Sequence, residues 1–295
     1  MNDMRNTNQN SATFAKAQPT VMSRLPSLPL LLGKAAFKSG HYRVDDSLPD
    51  LSMSIEGLRL DESHLQRYRE ICGFESQRMP ATYLFVVAFP LFVRLMLEKN
   101  FPLRPMGQVH LGNHIVVHHR FDINSPLSIS ASVGSSELTS RGLEWNIDTV
   151  VEVEKQTVWT AQSTFLHRCK TDIKRKFAKD LKPLGTPQQW MIPANIGRRY
   201  ARVSGDYNPI HLADTSAKVL GFKKAIAHGM WSKARCLATL DSIIPDAGYQ
   251  VDVSFYKPVF LPFSVQFYAH EQDAVQHFSL FNSSGTDMHL KGSII

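Results

Sequence analysis

Cysteine is scarce in this chain: Cys72, Cys169 and Cys236 are the three among 295 residues, widely spaced and odd in number. Without a Cys-x-x-Cys pair, neither a disulfide framework nor a thiolate zinc site is indicated, and a reducing, cytoplasmic setting is expected. Long apolar runs are missing as well. The longest, residues 83–97, is interrupted by Pro90 and Arg94 and falls short of the roughly 18 to 20 residues needed to cross a bilayer. The first ten residues are polar and carry an acid, unlike the basic start of a secretory signal. Aromatic residues do not interleave with the one dense basic cluster, residues 170–182, as a nucleic-acid stacking platform requires. What remains is the composition of a globular protein, 43% hydrophobic and 20% charged with a formal charge of +7, long enough to bury a full core.

Internal similarity organises the chain. Arg67-Tyr68-Arg69-Glu70-Ile71-Cys72-Gly73 and Arg199-Tyr200-Ala201-Arg202-Val203-Ser204-Gly205 carry Arg-Tyr, a β-branched aliphatic, a small residue and Gly in one order and spacing. In each copy a turn-like stretch leads to an apolar helix, over 83–97 and 230–240; the second places Met230, Ala234, Leu237 and Ala238 on one face. Strand-like runs rich in Val, Ile, Phe and Thr follow each helix, at 114–122, 127–133, 143–154 and 158–167, then at 249–256, 263–270, 275–281 and 288–294. Each half therefore reads as a helix followed by antiparallel strands, an α+β arrangement in which a small curled sheet surrounds a buried helix. Residues 177–189, with Pro183, Gly185 and Pro187, read as a linker between halves at 25–176 and 190–295. Residues 1–24 read as a disordered tail, and the apolar stretch 25–37 as a clasp on the body.

Chemistry-bearing residue types concentrate in residues 200–230. Gly205-Asp206-Tyr207-Asn208-Pro209 is a dense turn signal, and a turn merely shaped by Asp206 and Asn208 accounts for it. A functional reading has the turn fold back so that Asp206 meets His211, with Pro209 stiffening the loop and Asn208 bracing it. Such a pair offers two groups of different proton affinity, one of them able to exchange a proton near neutral pH. His228-Gly229-Met230 enters the second apolar helix. Gly229 permits close backbone approach there, and its amide is a natural donor to a developing oxyanion. His228 taken alone reads more readily as structural.

Residues 200–230 resemble the signature of the MaoC-like, or hydratase 2, dehydratases: S-G-D-x-N-P-[IL]-H, then A-x-x-x-G-F-x-x-[AP]-I-[AV]-H-G-M. Phe255-Tyr256-Lys257-Pro258-Val259 fits a later family element, and residues 25–30 and 79–83 are similar to double-domain bacterial members. The resemblance runs from about Arg24 onward. It implies a tandem (double) hot-dog fold, two antiparallel sheets each wrapped around a central helix. The implied reaction is reversible hydration of a trans-2-enoyl thioester to the (3R)-hydroxyacyl thioester in fatty-acid metabolism, the acyl group riding on coenzyme A or acyl carrier protein. By the same resemblance Asp206 and His211 activate the water and handle the α-carbon proton, Asn208 orients them, and the Gly229 amide polarises the carbonyl. His228 and Lys257 are the candidate substrate contacts. No metal or bound cofactor is implied, and neither nucleic acid nor membrane insertion is expected. The basic cluster reads as a solvated linker or as a landing patch for coenzyme A phosphates or an acidic carrier. The chain is expected as a homodimer or a monomeric pseudo-dimer.

In the register of the Arg-Tyr match, Phe74 falls where Asp206 stands and Met79 where His211 stands. An apolar pair cannot transfer protons, so one active site per chain is expected. His110, His114, His118 and His119 suggest a metal, but strand residues four apart lie roughly 13 Å apart, too far for one ion. Two other functions fit the fold. A hot-dog thioesterase would hydrolyse the thioester, and the Asn-Pro-Ile-His string argues against it. Against a non-catalytic acyl-binding subunit stand Asp206, Asn208, His211 and Gly229, intact in one copy only.

Overall fold

Burial decides where the two apolar helices go. Helix α3 (Tyr83–Met96) is covered on nearly every side, with Leu84, Ala88, Leu91, Phe92 and Leu95 all inaccessible. It rests on strands β2 (Ser52–Leu58), β4 (Leu127–Thr139) and β5 (Gly142–Val153). The computed structural model describes residues 19–44, 46–174 and 182–295. The expected tail up to residue 18, the expected linker residues 177–181 and residues 175–181 of the basic cluster lie outside the described residues.

The repeat is visible in the element order. The first half runs β2, α2 (Glu62–Cys72), α3, β3 (Val109–Val117), β4, β5 and β6 (Gln156–His167); the second runs β7 (Gln188–Ile192), α4 (Ile196–Ser204), α5 (Asp214–Val219), α6 (Gly229–Thr239), β8 (Tyr249–Phe255), β9 (Phe263–Gln272), β10 (Val275–Asn282) and β11 (Met288–Ile294). From β2 onward, among the described residues, α5 and the loops around it have no counterpart. The matched Arg-Tyr segments are helices α2 and α4, each ending at a glycine in the left-handed region, Gly73 at φ 82° and Gly205 at φ 72°, where other residues are strained. Their tyrosines, Tyr68 and Tyr200, are buried against each other with ring centroids 6.2 Å apart.

The expected two sheets are in fact one. Strands follow the order β1-β2-β4-β5-β6-β3-β8-β11-β10-β9-β7, because the outer strands of the two halves, β3 and β8, pair antiparallel from Gly112↔Ser254 to Val117↔Tyr249. Pairing satisfies the backbone groups each would otherwise leave open at an edge. The sheet is mixed: β1 (Thr20–Met22), inside the segment expected to be tail, runs parallel to β2. Strand β7 likewise takes Gln188 and Gln189 from the expected linker. The expected clasp contains helix α1 (Leu28–Phe37), whose Leu31 and Ala35 pack on Val93 of α3. Lys38 then donates to the carbonyls of Met96, Glu98 and Phe101 at 2.7 to 2.8 Å, closing the end of α3. No helix of the described residues is long and apolar enough to cross a membrane.

Candidate active site

The site is built where α4 stops. After Gly205 the chain turns tightly: the Ser204 Oγ accepts from the Asp206 amide at 3.2 Å and the Asp206 Oδ1 from the Asn208 amide at 3.1 Å. The Asn208 carbonyl and side chain then start a 3₁₀ turn, Pro209–His211, accepting from the amides of His211 at 3.0 Å and Ile210 at 3.4 Å. Asn208 thus braces the pair through the backbone. The turn is fastened to the segment before α6 at three points. Ile226 donates its amide to Ile210 at 3.0 Å, Ala225 donates to the Asp214 carboxylate at 2.8 Å, and the His211 Nδ1 bonds the Ile226 carbonyl at 2.8 Å.

Gly197 permits this approach from the other side. A Cβ at that position of α4 would lie 2.0 Å from the His211 carbonyl oxygen. His228, the N-cap of α6, closes the assembly: its Nε2 bonds the Asp206 carbonyl at 2.9 Å, and its ring lies on that of His211 with centroids 3.6 Å apart and on Tyr200 at 4.9 Å. One ligand atom from each of Asp206, His211 and His228 lies within 4.8 Å of the others.

Electrostatics sets the protonation of this group. Burial pushes the His211 pKa down, opposed by the Asp206 charge and the bond to the Ile226 carbonyl. Burial, then neighbouring His211, pushes His228 down further. Both rings are neutral at pH 7, so each has one N–H and one lone pair. With the His211 Nδ1–H on Ile226, Nε2 is the proton acceptor. With the His228 Nε2–H on Asp206, the free nitrogen is Nδ1, which is buried and unpartnered. The Asp206 carboxylate, 31% exposed, is the opening of the group to solvent.

Asp206, Asn208, His211, His228 and Gly229 are thus brought together. His228 lies beneath the pair as a brace, 3% exposed. Gly229 opens α6, and a Cβ there would sit 3.2 Å from the Phe255 ring. Lys257 is not part of the cluster: its ammonium, 61% exposed, pairs with Asp287 at 2.6 Å. Sequence reasoning missed Gly197, whose signal was a glycine inside a helix, where it is costly. It missed also the Ile226 carbonyl, which had none. Among the described residues the Asp206, His211 and His228 group is the one spaced to hold a cation. The other histidines disperse. His110 lies between Phe165 and Phe85 with Phe255 nearby, His114 bonds Asp252 at 2.7 Å, and His118 bonds Thr160 at 3.0 Å.

The corresponding place in the first half is taken by apolar side chains. Phe74 and Met79 pack on the core and line, with Arg78, Leu237 and Asp241, a small space of about 20 Å³, room for about one water. Thr82 caps α3 where His228 caps α6, bonded by the Tyr68 hydroxyl at 2.8 Å, and Tyr83 stands in the place of Gly229.

The buried imidazoles also predict acid lability. Burial brings His110 down to about 4 and lowers His211 and His228. Below the ordinary histidine range near 6.5, the unfolded chain binds protons that the folded chain refuses. The stability these residues contribute above pH 6.5 is therefore lost as pH falls toward 4, with His110 accounting for on the order of 3 kcal/mol. Thermal unfolding followed from pH 7 to 4 should show this decline, and His110→Phe, which keeps the aromatic packing, should flatten it. An equally steep decline in the variant would refute the assignment.

Residues 176–291 match the family model described as a MaoC like domain. The 3-hydroxyacyl-thioester dehydratase X of Mycobacterium tuberculosis is 32% identical over 255 residues, spanning 84% of this chain and 90% of that protein. A crystal structure of HtdX from the same organism has a TM-score of 0.72 at 30% identity, covering 82% of this chain and 98% of the other. A MaoC-like dehydratase from Phytophthora capsici, at 18% identity and a TM-score of 0.69 over 86% of this chain and 97% of that one, shares the fold. With a relative of that identity matched along nine-tenths of its length, and with the signature residues gathered around one helix N-terminus, the chain belongs to the MaoC-like dehydratase family.

Proposed function

We propose that this enzyme adds water reversibly to a trans-2-enoyl thioester to give the (3R)-hydroxyacyl thioester, at one site per chain. The observation that carries the reading is a carboxylate, Asp206, beside a neutral imidazole, His211, at the start of α6, where backbone N–H groups lack helical partners. In the hydration direction the pair takes a proton from water while the water oxygen bonds the β-carbon. The π electrons shift toward the α-carbon and the thioester oxygen, where the Gly229 amide meets the developing charge. The pair returns a proton to the α-carbon, so one water is added and no group is oxidised or reduced. The two residues act as a unit. The acyl group is carried by coenzyme A or an acyl carrier protein, and no bound cofactor takes part. The three free cysteines suit a cytoplasmic setting.

The same reading extends to the fold. We read α3, resting on β2, β4 and β5, and α6, bonded through Lys233 to β3 and β8, as the two central helices of a tandem hot-dog. The apolar side chains of Phe74 and Met79, packed on the core, support a first half that builds the pocket and performs no chemistry.

The test is an absorbance assay with trans-2-enoyl-CoA substrates of several chain lengths. Loss of the enoyl signal without thiol release is expected. Phe74→Ala and Met79→Ala should keep turnover within about threefold while lowering stability by roughly 1 to 3 kcal/mol. Free thiol in place of hydration would make the protein a thioesterase and overturn the proposal.

A further inference from the structure

Lys233 has no part in the proton transfers above, yet it is a lysine with 0% exposure on α6, the helix that Gly229 opens. It follows Gly229 by four residues, on the same face of α6 and about 6 Å further along the axis. Its Nζ donates to the Asn113 carbonyl at 2.9 Å, to Asn113 Oδ1 at 2.7 Å and to the Val251 carbonyl at 3.3 Å. These acceptors belong to β3 and β8, the strands that join the halves. The Asn113 amide is fixed in orientation, because its Nδ2 donates to the Ser163 Oγ at 3.1 Å. Oδ1 is therefore the atom turned to the lysine.

Three carbonyl oxygens around one nitrogen require three N–H donors. An ammonium has three; a neutral amine has two and would set its lone pair against an oxygen. Burial pushes the Lys233 pKa well below the ordinary amine range, opposed by Asp252, but the acceptors are placed for the charged form. All three are neutral oxygens, and Asp252 itself is engaged by His114 at 2.7 Å. No lysine takes this place in the other half, where Lys38, with its three carbonyl acceptors, lies after α1 and is only part-buried. Counting from the matched caps Thr82 and His228, the place of Lys233 is taken in α3 by Val87, which packs on the core without a charge.

From this geometry we infer that Lys233 is a fixed, buried cation that stabilises the negative charge developing on the substrate at the N-terminus of α6. The inference rests on the reading of Gly229 as the donor to the thioester oxygen. In the interior a unit charge is weakly screened and acts across the length of a helical turn or more, and here it adds to the positive end of the helix dipole. The neutral enoyl thioester gains little from it, and the charged transition state gains more. Lys233 therefore acts on kcat and leaves KM nearly unchanged. It does so at a distance, as a positioning residue of charge.

Two variants test this with trans-2-enoyl-CoA as substrate. Lys233→Met keeps the length of the side chain and removes its charge. Asn113→Asp keeps the lysine and its bonds but sets a carboxylate where Oδ1 stands, cancelling the charge in place. Each is expected to lower kcat about 10-fold with KM within about twofold, and Asn113→Asp should melt no lower than the wild type. A wild-type kcat in Asn113→Asp would overturn the inference, and this arm stays decisive if Lys233→Met does not fold. A fall in kcat matched by a loss of thermal stability in Asn113→Asp would overturn it as well, since that is the mark of a merely structural bond. Absence of turnover in the wild type would instead bring down the hydratase reading, and this inference with it.

Discussion

Asp206→Asn and His211→Ala are each expected to lower turnover by roughly 10² to 10⁴. Asp206→Asn is the cleaner test. An amide oxygen in place of Oδ1 can still accept from the Asn208 amide, bonded at 3.1 Å, so the turn is retained while the carboxylate is lost. His211→Ala removes more: the proton acceptor, the bond to the Ile226 carbonyl and the ring lying on His228 at 3.6 Å. It should lower the melting temperature as well as kcat. Because the two residues work as a unit, the double variant should be little worse than the poorer single one. Steady-state kinetics beside thermal unfolding would decide the matter. A folded Asp206→Asn protein with wild-type kcat would remove Asp206 from the chemistry.

Gly197→Ala should come close to those active-site variants in its effect on turnover, although residue 197 bears no functional group. Within a helix the change ordinarily stabilises, by about 0.5 to 1 kcal/mol. Here the new methyl would lie 2.0 Å from the His211 carbonyl oxygen and 3.0 Å from its carbon. Both atoms are backbone and cannot swing aside, so either α4 or the turn must move. A displacement of about 1 Å in the catalytic imidazole is enough to cost on the order of 10²-fold in rate. The expected outcome is a kcat reduced by about that factor together with a lower melting temperature. Gly33→Ala in α1, where a Cβ meets nothing within 4 Å, is the control and should be neutral or stabilising. If Gly197→Ala matched the wild type in both respects, the close approach of α4 to the turn would not be what holds His211.

How much of this was legible depended on whether a residue's role was written in its own chemistry. The strands after each helix alternate or run apolar because they face the core: the runs expected at 127–133 and 263–270 fall inside β4 and β9, and the run expected at 143–154 overruns β5 by one residue. Strands β2 and β7 escaped notice for opposite reasons. In β2 both faces are covered, Ser52 and Ser54 as well as Met53 and Ile55, so alternation in polarity does not mark burial. In β7 three of five residues are exposed, and Pro-Gly-Pro punctuation precedes it, so it reads as linker. Helix α2 did carry signals, Asp61 accepting from Ser63 and His64 at one end and Gly73 at the other. At the site, Asp206 and His211 could be named because few residue types do their chemistry. Their convergence depends on backbone atoms, the Ile226 carbonyl and the missing Cβ of Gly197, and these leave little trace in a sequence. Lys233 had no signal at all, since a single lysine in a helix ordinarily points to water.

The junction of β3 with β8 has a consequence for how the activity depends on protein concentration. If the halves were separate chains, the sheet across this line would be a subunit interface, and diluting the protein would pull it apart by mass action. Here the two strands belong to one chain, which replaces a bulk concentration with an effective, intramolecular one. Lys233 and its acceptors on both strands therefore stay assembled in a single molecule however dilute the solution.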